Sequence, residues 1–261
     1  MVMVRIMDKR GDEIAMTWTK KMLKNNAKWQ MRISFSHYFS ATVVYFIITM
    51  VPIIPMHFIN DYANGTGVLL FYLFVLLAVV FIELPLRVGL VACYIRRPFS
   101  EIKSISTLFF AFSPSKYWPV VGAMLRMTIF IFLWSLLLII PGIIKAYQYH
   151  MMPFILSESP EITGREAMRI SRQMTNGQKG DMFVLDLSFI GWSILASVPY
   201  TILITTAVVM LATGGAYSTF LVLYVISLSF PAAFTVYVYA TYAQLYFVLR
   251  ANYFASLQQP Q

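Results

Sequence analysis

Five charged side chains stand inside long apolar runs of this sequence: Glu83, Arg87, Arg126, Lys145 and Asp186. A charge at the centre of a bilayer costs roughly 3 kcal/mol even on insertion scales, so each needs a partner, a wet cavity or a route to the interface. Glu83 and Arg87 are four residues apart and share one helical face, which lets them pair. Arg126 and Asp186 fall within about two helical turns of the same membrane face. Their pairing would join Glu83, Arg87, Arg126 and Asp186 in one neutral intramembrane cluster. Such a cluster can form a polar cavity for a solute, an ion or a lipid headgroup. It can equally fix helix register, with Arg126 snorkelling to the interface. The sequence favours the register role. Lys145 is expected to snorkel towards the opposite interface.

Other chemistries find little support. His37 and His57 sit at the two ends of one apolar run, about 30 Å apart at helical rise, and His150 stands alone. Metal-ligand spacing is missing. The single cysteine, Cys93, permits neither an intramolecular disulfide nor a thiolate cage. Ser188 follows Asp186 closely, but no histidine is near in sequence, and no zincin motif, nucleophile elbow or phosphate loop is present. The expectation is therefore no enzyme: no catalytic residue, no metal and no cofactor.

The elements that must position these charges follow from composition. Of 261 residues, 59% are hydrophobic and only 12% charged, and the mean hydropathy is +0.70. Soluble domains carry roughly twice that charge, so the chain reads as an all-α, polytopic transmembrane bundle. An open sheet is excluded because lipid offers its edges no hydrogen-bond partner. With about 20 apolar residues per crossing, six spans are expected, at about 38–59, 68–95, 119–140, 143–156, 182–210 and 218–249. The third and fourth come from one overlong run divided at Pro141-Gly142, where proline removes a helical hydrogen bond and glycine permits a turn. Residues 1–36 read as a basic N-terminal segment, 37–250 as the transmembrane domain and 251–261 as a short tail.

The net charge of +9 points to membrane orientation rather than to nucleic acid, because the bases flank apolar runs. With both termini in the cytoplasm, 17 of the 20 bases lie inside. They include Arg5, Lys9 and Arg10 at the start, Arg96, Arg97, Lys103 and Lys116 after the second span, and Arg250 at the end. The three outer connections (Asn60 to Gly67, the Pro141-Gly142 turn, Leu211 to Tyr217) hold none, as the positive-inside rule requires.

Two cytoplasmic helices are amphipathic. Over Ile14 to Ile33, Ile14, Trp18, Met22, Trp29 and Ile33 fall on one narrow arc with Lys20, Lys24, Lys28 and Arg32 beside it, the pattern of a helix lying among headgroups. Between the fourth and fifth spans, Thr163-Gly-Arg-Glu166 fits a capping box and Asn176-Gly177 a C-terminal stop. Ala167, Ile170 and Met174 can face the bundle or lipid there. Arg165, Arg169 and Arg172 are candidate contacts for anionic lipid. On the last helix Tyr239, Tyr242, Tyr246 and Tyr253 repeat at helical spacing, which reads first as packing and an interfacial aromatic belt.

An ordered set of motifs goes further. Ile140-Pro-Gly-Ile-Ile-Lys-Ala-Tyr-Gln-Tyr149 is followed by Pro153-Phe-Ile-Leu156, Glu158-Ser-Pro-Glu-Ile162, Asn176-Gly177 and Phe183-Val-Leu-Asp-Leu-Ser-Phe-Ile-Gly-Trp192. With the Ala27/Trp29 region and the Tyr242 to Leu249 stretch, it resembles a family of bacterial membrane proteins catalogued as domain of unknown function 975. Its first half also looks like the non-catalytic membrane domain accompanying some glycerophosphodiester phosphodiesterases, whose soluble catalytic domain this chain lacks. The resemblance implies a multi-span fold in a bacterial cell membrane and supplies no activity. The function expected is a non-enzymatic membrane accessory: a scaffold, or an envelope-stress or immunity factor. It would act through the bilayer, anionic lipid, a membrane protein partner or a second copy of itself. The alternative is a small-solute or lipid transporter or channel built on the charge cluster.

Overall fold

The computed structural model describes residues 17–50, 65–96, 105–214 and 217–258, which are all-helical. Arg5, Lys9, Arg10, Ile14, Arg97, Lys103, most of the first outer connection and residues 215–216 of the last lie outside the described residues.

Helix α1 (Lys20–Met50) combines the basic amphipathic segment and the first apolar run in one element, which leaves helical geometry at Ser34 (φ −144, ψ 23). Leu23, Ala27, Gln30, Tyr38, Ala41 and Thr42 are buried, a spacing of three and four that marks one helical face. Trp29 and Ile33, on the arc expected to meet headgroups, are more than half exposed.

The next element is continuous from Gly65 to Arg96: α2 (Gly65–Ala78), a π-helical turn (Val79–Glu83) and α3 (Leu84–Arg96). Pro85 has no N–H to offer the Phe81 carbonyl four residues back. Tyr117 Oη donates to that carbonyl instead, at 2.9 Å. The π turn sits where the ladder must adjust to the ring. Leu69, Leu70, Leu73 and Phe74 on α2 are exposed, whereas almost all of α3 is buried. Gly89 makes this possible. A Cβ there would lie 1.8 Å from the Leu108 carbonyl oxygen, so only glycine lets the 3₁₀ segment Ile105–Phe112 lie on α3.

The chain then forms α4 (Pro114–Leu137), α5 (Ile139–Gln148), α6 (Met152–Glu158), α7 (Gly164–Met174), α8 (Lys179–Leu187), α9 (Ile190–Ala212) and α10 (Tyr217–Gln258). Burial divides the molecule into two parts. The start of α1, α3, the first half of α4, α6 to α8 and the second half of α10 pack into a dense base. The end of α4, α9 and the first half of α10 keep large apolar side chains exposed, as lipid-facing surface does. A buried amide network ties the base together. Gln30 Nε2 donates to Tyr38 Oη (2.8 Å) and to the Tyr94 carbonyl (3.1 Å), and Gln244 Nε2 donates to Gln30 Oε1 (2.7 Å). Leaving one such group unpaired would cost about 1–3 kcal/mol.

The expectation of six spans is corrected. Among the described residues four helices are long and apolar enough to cross a membrane: Gly65–Arg96, Pro114–Leu137, Ile190–Met210 and Val222–Gln258. The run at 38–59 is described only to Met50, and beyond the kink at Ser34 this is shorter than the roughly 20 residues a crossing needs. The run at 143–156 is no span because it is two short helices, α5 and α6, of 10 and 7 residues, and Met152 to Ser157 are buried within the protein. The break also falls elsewhere. The backbone turns at Leu138 (φ −157, ψ 139), and Pro141 lies in the first turn of α5, where its missing N–H leaves no bond unmade. Pro199 and Pro231 lie within continuous helices.

Candidate functional site

The inward face of α10 takes up the charges of the base through its tyrosines. Tyr239 lies against Arg87, and Tyr45 and Glu83 also act on the guanidinium. Tyr242 Oη donates to Asp186 Oδ1 at 2.5 Å, and Tyr147 Oη donates to Oδ2 at 2.7 Å. Tyr246 Oη donates to Glu158 Oε2 at 2.8 Å, and Arg250 pairs with the same oxygen at 2.8 Å. The stripe expected to serve packing and an aromatic belt does pack, with Tyr242 and Tyr246 buried, and Tyr239, Tyr242 and Tyr246 also turn their hydroxyls to half-buried charge. His150 stacks on Tyr242 with centroids 4.2 Å apart. Burial first, then the Arg87 charge, push its imidazole down to about 4, against the opposing pull of Asp186. His150, acted on by both Arg87 and Asp186, is therefore a neutral ring. Arg87 Nε is sealed from solvent without a hydrogen-bond acceptor.

Of the four residues placed together by sequence, Glu83 and Arg87 share the surroundings of Tyr45 and Tyr239, whereas Asp186 is held by Tyr147 and by Tyr242, on which His150 stacks. Arg126 does not join them. It lies with Arg165, Arg169 and Arg172 around a pocket of about 560 Å³, completed by Phe130, Tyr149 and Met168.

Local sequence explains why α7 meets α4 there. Thr163 caps α7, its Oγ1 accepting from the Glu166 N–H at 3.3 Å, which is the threonine half of the expected capping box, while the Glu166 carboxylate turns to Arg169. Gly164 abuts α4 so closely that a Cβ would stand 2.8 Å from the Ala123 Cα. Ala167, Ser171 and Met174 are buried. Ser171 Oγ and Thr175 Oγ1 both donate to the Gln148 carbonyl, at 2.9 and 3.2 Å. With that face docked, Arg165, Arg169 and Arg172 share the other, and Arg126 lies one turn along α4 from Ala123. Glu166 pairs with Arg169 on the exposed side, and that hydrogen bond holds its carboxyl below the ordinary range. Burial raises the Tyr149 phenol, and the Arg172 charge opposes that rise.

Arg172 also borders a second cavity of about 730 Å³, with Lys145, Lys179, Gln148 and Tyr253 on its walls. Lys145, expected to snorkel to the far interface, instead lies 4.9 Å from the Trp134 ring and lines this basic cavity. The convergence of Arg126 and Lys145 on α7 was hidden in the sequence, because it depends on the return of α5 along α4. The only local signal was the small-residue contact at Gly164.

The family model described as protein of unknown function (DUF975) matches residues 21–253. The chain belongs to this family. No curated protein and no solved structure matches it. The DUF975 match includes the arginine pocket and the tyrosine stripe, and makes the chain a multi-pass, all-helical membrane protein of an uncharacterised family. Among the described residues no group of three or more His, Cys, Asp or Glu side chains is placed to hold a metal ion.

Proposed function

We propose that this protein is a non-enzymatic accessory of a bacterial cell membrane that binds anionic lipid headgroups at the cytoplasmic face through Arg126, Arg165, Arg169 and Arg172. The observation that carries the reading is the convergence of four guanidinium groups on one pocket. Planar guanidinium forks match phosphate oxygens in pairs. Ile129, Phe132 and Leu133 on the next turns of α4 are exposed and apolar, which suits the acyl chains of a molecule whose headgroup lies among the arginines. The orientation is part of the proposal. Trp18 bonds Gln178 and Arg250 bonds Glu158, so both ends of the described chain meet the same basic base. The positive-inside rule assigns such a base to the cytoplasm.

A second reading, a small-solute transporter, is favoured by one observation: the sealed Arg87 Nε without an acceptor, on a guanidinium that interacts with Glu83 and His150. Native mass spectrometry of the protein from nanodiscs separates the two. At least one retained anionic lipid per protein that is lost on Arg165/Arg169/Arg172→Ala supports the accessory. A retained solute that is lost on Glu83→Ala or Arg87→Ala, with lipid unchanged, replaces it with the transporter.

A further inference from the structure

A third cavity lies away from the arginine pocket, in the groove between α1, α9 and α10. Its volume is about 820 Å³, within the range of small-molecule sites. Its walls are apolar: Met31 from α1, Trp192, Leu195 and Pro199 from α9, Phe230 and Phe234 from α10. Ala196 and Ala233 supply the depth, because larger side chains at those positions would fill it. Lys24 and Lys28 are the charged residues of its lining. They stand one turn apart on α1, towards the base and therefore at one end of the groove.

Lys24 is held in place rather than free. Its Nζ donates to the Ser188 carbonyl at 3.2 Å and sits 4.4 Å from the Phe189 ring centroid. The charged groups acting most strongly on it are Lys20 and Lys28. The three lysines, spaced four apart, form a stripe of like charge that an anion would relieve. A long apolar trough with cations at its interfacial end has the polarity of one phospholipid: chain in the trough, phosphate at the lysines.

We propose that the groove between α1, α9 and α10 is a binding site for one acyl chain of an anionic phospholipid, whose phosphate is held by Lys24 and Lys28. This site is separate from the arginine pocket. It uses none of the same residues, so either can fail without the other. Trp192 and Leu195, both well exposed, flank the trough where the chain would enter from the surrounding lipid. Because Lys24 also bonds the start of α9 through Ser188, a bound phosphate would brace α1 against α9.

The test is photo-crosslinking of the full-length protein in nanodiscs of mixed phosphatidylglycerol and phosphatidylcholine, with a diazirine on the acyl chain of either lipid. Labelled peptides are mapped by mass spectrometry. The expected result is preferential labelling by phosphatidylglycerol of Trp192 to Pro199 and Phe230 to Tyr237. That labelling should fall at least tenfold in Ala196→Phe, which fills the trough. In Lys24→Gln/Lys28→Gln the two lipids should label equally, a loss of selectivity of about 25-fold for two basic contacts. Arg165/Arg169/Arg172→Ala should leave this labelling unchanged. Equal labelling of every lipid-exposed helix, or labelling indifferent to Ala196→Phe and to the lysine variant, overturns the proposal. So does crosslinking of the groove to a second copy of the chain. Lys28→Gln alone, at an exposed position, keeps the test valid if Ala196→Phe does not fold.

Discussion

Replacing Gly164 with alanine tests whether close contact between α7 and α4 builds the arginine pocket. In most helices the exchange is favourable, because glycine loses more backbone freedom and costs up to about 1 kcal/mol relative to alanine. Here the added Cβ would stand 2.8 Å from the Ala123 Cα and 3.2 Å from its Cβ. The first contact is backbone, so a rotamer change does not relieve it, and the helices must part. Overpacking of this kind costs about 1–3 kcal/mol, which outweighs the propensity gain, the more so because Gly164 is the first residue of α7. Gly180, in the first turn of α8, has nothing within 4 Å of the corresponding Cβ and serves as the control. Thermal unfolding of the detergent-solubilised protein should show Gly164→Ala destabilised and Gly180→Ala equal to or more stable than the parent. Headgroup binding at the arginine pocket should weaken in the first variant only. A Gly164→Ala protein as stable as Gly180→Ala, with unchanged binding, would refute the packing argument.

Two further outcomes follow from the tyrosine-held charges. Asp186→Asn removes the carboxylate that accepts from Tyr147 and Tyr242; hydrogen bonds to a charged group contribute about 1.5–3 kcal/mol. Thermal unfolding should register a loss of that order, and little change would mean that the tyrosines rebond elsewhere. His150, held neutral and pushed down to about 4 by burial and Arg87 despite Asp186, binds its proton more readily in the unfolded chain. Its contribution is complete above the ordinary histidine range near 6.5 and is lost as pH falls towards 4, at about 1.4 kcal/mol per pH unit. Unfolding measured across that window should lose this slope in His150→Phe, and an unchanged slope would assign it to other groups.

The class of the fold was legible because composition decides it: few charges and long apolar runs leave no soluble alternative. The α7 helix and its cap at Thr163 were legible because capping is local. The number of spans was not. Proline in the first turn of a helix and proline at a break look alike in sequence, so Pro141 suggested a boundary where the chain turns at Leu138. Nor did apolarity distinguish lipid-facing α2 from buried α3, which continue one another. The charges were found as individuals but misassembled. Arg126 and Asp186 were expected at comparable depth, yet the partner of each is set by helix packing. The α10 hydroxyls claim Asp186, and the docking of α7 claims Arg126. The tyrosine spacing was visible, but spacing alone gives no direction to the face.

The most direct test of the central claim is a titration of the detergent-solubilised protein with short-chain phosphatidylglycerol, taking Lys24→Gln/Lys28→Gln as the parent so that the groove does not contribute, comparing it with the same protein carrying Arg126→Ala/Arg165→Ala/Arg172→Ala, and using phosphatidylcholine as the neutral control. At about 1 kcal/mol for each base near anionic lipid, the account predicts affinity weaker by roughly 150-fold, falling also with added salt, and phosphatidylcholine binding unchanged. Equal phosphatidylglycerol affinity in the parent and the triple variant would contradict it.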